Sequence, residues 1–215
     1  MNQVADLNHV LVAIVWAVVG FGGGWLVRWG SVRLAKLEEL DPGSKPWQVW
    51  GPPIACALVF AVFGYELGAA WPLLLRSVFG LVLVQVIFFD LEHRLILDRV
   101  IFPSMALALV VSLFNHPWWA NLATGLVAGG AFLLLALVGA AIFKADALGF
   151  GDVKFAAFMG LLLGPLPTAQ ALLYGVFLAG LAAIGIIIWR RSLKGTIAYG
   201  PYLAAGSLIV LFQMR

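Results

Sequence analysis

Two short stretches carry charge beside apolar runs: FFDLEHRLILD at residues 88–98 and ALGFGDVKF at residues 147–155. The first holds Asp90, Glu92, His93, Arg94 and Asp98; the second holds Gly149, Gly151, Asp152 and Lys154. Ionisable groups next to hydrocarbon are costly, and they tend to mark function. Asp90 and Asp152, 62 residues apart, are the pair with the most definite chemistry. Two carboxylates held close cannot both ionise, so they share one proton. The ionised member can take a proton from water while the protonated member polarises a peptide carbonyl. That is the chemistry of an aspartic protease, and its two titration steps belong to the pair.

The neighbours have supporting and plain readings. Gly149 and Gly151 lack side chains, which lets a substrate backbone approach and makes unusual dihedrals cheap. Asp152 gains from the helix dipole if it opens a helix, or it is simply a helix cap. Lys154 either lowers the carboxylate's proton affinity or meets lipid headgroups. Asp98 caps the following helix or supports the site, and the stretch around it also reads as a solvated loop. His93 has no companion ligands for a zinc site, and no GxSxG, HExxH or P-loop pattern is present. Neither a metal nor a cofactor is expected.

What must position these residues is a set of membrane helices. Of 215 residues, 63% are hydrophobic and 11% charged, against roughly 25% charged in soluble domains. So much apolar surface needs lipid around it. Eight spans follow, near 8–28, 51–68, 71–89, 98–115, 120–143, 151–166, 168–189 and 197–213. The fold class is therefore all-α, a polytopic membrane protein, read as one domain over 1–215. The first run lacks a basic start and ends in Trp25, Arg28 and Trp29, which suggests a retained span rather than a cleaved signal. The sizeable polar segment is 29–50, read as a short cytoplasmic loop without a zinc motif, with LDPGSKP at 40–46 as its turn-rich part. The sole cysteine, Cys56, lies in an apolar run and reads as a small buried hydrophobe.

Orientation follows from basic residues. With the first span running inward, the inner side holds Arg28, Arg33, Lys36, Lys45, Arg94, Arg99, Lys144, Lys154, Arg190, Arg191 and Lys194, which is 11 of 13. Both termini then lie outside, and Asp90 and Asp152 share the cytoplasmic face. A net charge of +3 is too small to argue for nucleic acid and suits basic loops facing anionic lipid.

At these residues the chain resembles the type IV prepilin peptidases, bacterial membrane aspartic proteases of the GxGD kind. GFGDVK resembles their Gly-x-Gly-Asp-x-Lys motif, and FFDLEHRLILD their pair of aspartates eight residues apart. The 62-residue separation and IAYGPYLAAG at 197–206 are similar to the family as well. The resemblance implies catalytic roles for Asp90 and Asp152 in the inner membrane, with Gly149, Gly151 and Lys154 completing the second motif. It implies prepilin or pseudopilin substrates, cut after a glycine between a basic leader and an apolar helix. Two departures stand out. Leu97 occupies a position where the family usually has proline, and 29–50 lacks the paired CxxC motifs of members that also N-methylate their product. Peptidase activity alone is expected. Other readings are a GxGD protease for another leader-bearing substrate, or a non-enzymatic small transporter or scaffold. A transporter site would lie near the bilayer midplane.

Overall fold

The computed structural model describes residues 2–143, 149–190 and 198–214. Among these it holds eight helices in chain order: α1 (Asn2–Leu37), α2 (Pro46–Leu67), α3 (Trp71–His93), α4 (Asp98–Ser112), α5 (Trp119–Phe143), α6 (Phe150–Leu163), α7 (Pro165–Arg190) and α8 (Gly200–Gln213). Lipid offers no partners to backbone N–H and C=O groups, and helices satisfy their own. Stretches in five of them (α1, α2, α3, α5 and α7) are long and apolar enough to cross a membrane. Large apolar side chains such as Val18, Leu126 and Leu173 are exposed on them. The chain is a multi-pass membrane protein. Lys144, Arg191, Lys194, Arg215 and the first residue of the 197–206 motif lie outside the described residues.

One feature differs from the sequence reading. The segment 29–50 is mostly helical: α1 continues to Leu37 and α2 begins at Pro46. Hydropathy ends where lipid ends, but Leu34, Ala35 and Lys36 are good helix formers and carry the helix onward. Proline at the first helical position then starts α2 without losing a needed N–H. The chain divides into two compact units, Met1–His93 with Leu211–Arg215, and Arg94–Val210.

The first unit is built on α1, α2 and α3. A Cβ on Gly20 would lie 2.5 Å from the Cys56 carbonyl oxygen. One turn on, Gly24 backs onto Pro52 and Pro53, so α1 and α2 touch backbone to backbone. Such small-residue contact replaces the hydrophobic drive that lipid cannot supply. Polar pairs add to it: Trp16 donates to Ser77 Oγ at 2.8 Å, and Gln85 donates to Ser31 Oγ at 2.9 Å. Arg76, charged within α3, donates to the Leu211 carbonyl at 3.1 Å, near the end of α8, where helix carbonyls lack internal partners.

The second unit wraps α6, most of whose residues are buried. Apolar on all sides, α6 suits the middle of a bundle. It meets α5 where Gly160 faces Gly125: a Cβ on Gly160 would lie 2.6 Å from the Gly125 Cα. Asn121 on α5 donates to the Leu161 carbonyl at 3.0 Å. Gly164 ends α6 in the left-handed region at φ 78°, and its N–H closes on the Gly160 carbonyl at 3.1 Å.

Candidate functional site

In the first unit, Asp90 sits in the last turn of α3, and it is buried. Around it the helix also buries Val86 and Phe89, and the Phe89 ring lies 4.6 Å from the His93 ring. Beyond His93 the chain leaves the helix, and Arg94 takes a positive φ of 55°. That turn stops α3 immediately after the acidic stretch. Asp90 therefore belongs to a rigid helix, not to the loop that its charged neighbours suggest.

In the second unit, Asp152 is buried in the first turn of α6. It is the third helical residue. The cap itself is Gly149, with φ −68° and ψ 142°. Asp152 is thus not the N-cap that its place after a glycine suggests. Its carboxylate folds back beside the cap: a Cβ on Gly149 would lie 3.5 Å from Asp152 Oδ2. Neither glycine of the motif adopts a left-handed conformation. Gly151 is needed for packing: a Cβ there would lie 3.0 Å from the Cβ of Ile96, in the segment leading to α4.

Lys154 and Asp98 are brought together. The Lys154 ammonium lies 2.6 and 2.7 Å from the two Asp98 carboxylate oxygens, joining the N-terminal ends of α6 and α4 across 56 residues. The ammonium also sits 5.3 Å from the Phe102 ring centroid and 5.4 Å from that of Phe150. Its charge is directed at Asp98. Asp98 is the first residue of α4, with Leu97 as the cap. Asp98 is more than half exposed, and an exposed pair is worth only about 0–1 kcal/mol. Lys154→Ala should therefore leave a folded protein in the membrane. Thermal melting of the variant beside the parent checks this, and loss of the folded protein would give the pair a larger share of the stability.

A third cluster escaped the sequence reading. Arg28, Glu92 and His93 lie together with the turn at Pro42–Gly43. Arg28 carried a signal only as a basic residue closing a span. Among the described residues no group of three or more His, Cys, Asp or Glu is arranged to hold a metal ion.

The profile of the type IV leader peptidase family matches residues 77–188, which include Asp90, Asp98, Asp152 and Lys154. A prepilin leader peptidase/N-methyltransferase of Bacillus subtilis is 29% identical over 160 residues, covering 73% of this chain and 62% of that protein. One from Stutzerimonas stutzeri is 26% identical over 171 residues, covering 74% of this chain and 56% of its own length. The chain thus spans less than two thirds of the length of either relative. No solved structure matches it.

Proposed function

Since the chain belongs to the type IV leader peptidase family, we propose that it is an aspartic endopeptidase of the inner membrane. It removes the leader of type IV prepilins or pseudopilins at the cytoplasmic face, through Asp90 and Asp152. The observation that carries this reading is that each aspartate is buried in the terminal turn of an apolar helix, inside the family-matched region. Burial favours a shared proton over two free charges. One carboxylate accepts a proton from water as the water oxygen attacks the scissile carbonyl carbon. The other donates its proton to the carbonyl oxygen. Collapse of the diol breaks the C–N bond, and the leaving nitrogen takes a proton from the pair. Asp98, Lys154, Gly149 and Gly151 hold the two helix starts that frame Asp152. Co-expression with a prepilin tests the reading: a mobility shift on a gel, dependent on this protein, is the expected result.

Orientation is tested separately. Cysteine labelling after residues 45 and 94 should report the cytoplasm, and labelling near 70, 117 and 167 the outside. A cytoplasmic signal near 117 would separate the two aspartates across the bilayer.

The same reading assigns peptidase activity alone. Although both relatives carry N-methyltransferase in their names, the segment between α1 and α2 has no cysteine from which to build a four-thiolate zinc fold. The mature substrate made with this protein as the only processing enzyme should carry an unmodified N-terminus. Mass spectrometry decides, and a gain of about 14 Da, one methyl group on the new amine that such a zinc fold would support, would overturn the assignment. The purified protein should also hold no stoichiometric zinc.

A further inference from the structure

Arg28 is 7% exposed although it is a cation at the end of a membrane span. Its Nη2 donates to the carbonyl oxygens of Pro42 at 2.8 Å and Gly43 at 2.5 Å. Its Nη1 lies 3.8 Å from Glu92 Oε2, and the side chains of Arg28, Glu92 and His93 are all at least nine-tenths buried. Glu92 Oε1 has no hydrogen-bond partner and lies 3.7 Å from His93 Nε2. Gly43 has a φ of 63°, a conformation that glycine adopts freely. The space that a Cβ would fill there is occupied by Glu92 Oε1. One planar guanidinium therefore joins three segments: the inner part of α1, the turn between α1 and α2, and the last turn of α3. Several acceptors at fixed angles are what an arginine fork serves better than a lysine. Asp90 lies two residues before Glu92 in that same last turn.

We infer that Arg28 is a positioning residue for Asp90, fastening the last turn of α3 to the Pro42–Gly43 turn through Glu92. The inference rests on the catalytic reading of Asp90 given above. Simple charge neutralisation of Glu92 would be a different role, and the two make different predictions. Removing both charges, as in Arg28→Met with Glu92→Gln, satisfies neutralisation but not positioning.

The test uses the full-length protein in phospholipid vesicles, with a full-length type IV prepilin that the unmodified protein cleaves. Arg28→Met should accelerate amide exchange across residues 88–93 and leave α6 unchanged. It should lower kcat roughly 100-fold, the scale expected for a displaced reacting group, with KM within about twofold. Arg28→Lys should recover only part of kcat. The double variant should regain the melting temperature but not kcat, and it carries the test if Arg28→Met alone fails to fold. Unchanged exchange at 88–93, or full recovery of kcat in the double variant, overturns the inference. Continued cleavage by Asp90→Asn would instead remove the catalytic reading, and the exchange data would still decide whether Arg28 holds the turn.

Discussion

Asp90→Asn and Asp152→Asn should each reduce prepilin cleavage roughly a thousandfold or more, as for other catalytic groups that act as a unit. Asparagine keeps the shape of aspartate but can neither release nor accept the proton that the proposed pair passes. Because the proposed step needs both partners, the double variant should be scarcely worse than either single one. The protein itself should survive. Both aspartates are buried, and removing a buried charge spares the protein a desolvation cost. Membrane levels and melting temperature should therefore stay near those of the parent while the gel shift disappears. Substantial processing by either variant would end the dyad assignment. Loss of processing accompanied by loss of protein would call for Asp→Ser substitutions before any conclusion about chemistry.

The second large effect is structural. Gly160→Val should lower the melting temperature in detergent by several degrees, following an overpacking cost of roughly 1–3 kcal/mol. The atoms it meets belong to the Gly125 backbone, at 2.6 Å from the new Cβ. Backbone cannot swing aside as a side-chain end can, so α5 and α6 must part, and the hydrogen bond from Asn121 to the Leu161 carbonyl is strained with them. Cleavage should fall as well, because α6 carries Asp152 in its first turn. Gly130→Ala is the matched control. No atom lies within 4 Å of its Cβ position, and alanine should add about 0.5–1 kcal/mol of stability within a helix. Equal melting temperatures for Gly160→Val and the parent would show that the helices are not in backbone contact.

Much of the helical order is legible in the sequence because apolar length is a strong signal. The run read as 120–143 emerges as Trp119–Phe143, and that read as 71–89 as Trp71–His93. The misread segment, 29–50, shows the limit. Hydropathy reports the solvent around a chain, whereas helix continuation depends on local propensity and on what the ends can bond. Asp90, Asp98, Asp152 and Lys154 were all conspicuous as charges among hydrocarbon. The bonding between Lys154 and Asp98 was not, since it joins helix starts 56 residues apart. The packing of Gly151 was not legible either: its contact with Ile96 depends on a tertiary approach that no local pattern encodes. Arg28 was hidden by its own orientation signal. A basic residue at the end of a span needs no further explanation until its carbonyl partners, supplied by the turn at Pro42–Gly43, are known.

The length of α6 bears on the supply of the second reactant. Its 14 residues extend about 21 Å at 1.5 Å per residue, while a hydrocarbon layer is about 30 Å deep. α4, with 15 residues, is scarcely longer, whereas α5 has 25. A hydrolase in lipid is short of water rather than of substrate, because the substrate's own apolar helix is delivered by the membrane. A core helix shorter than the layer by roughly a third does not cross it alone. On the proposed reading, a thicker bilayer would set the Asp152 end deeper and slow turnover through the supply of water.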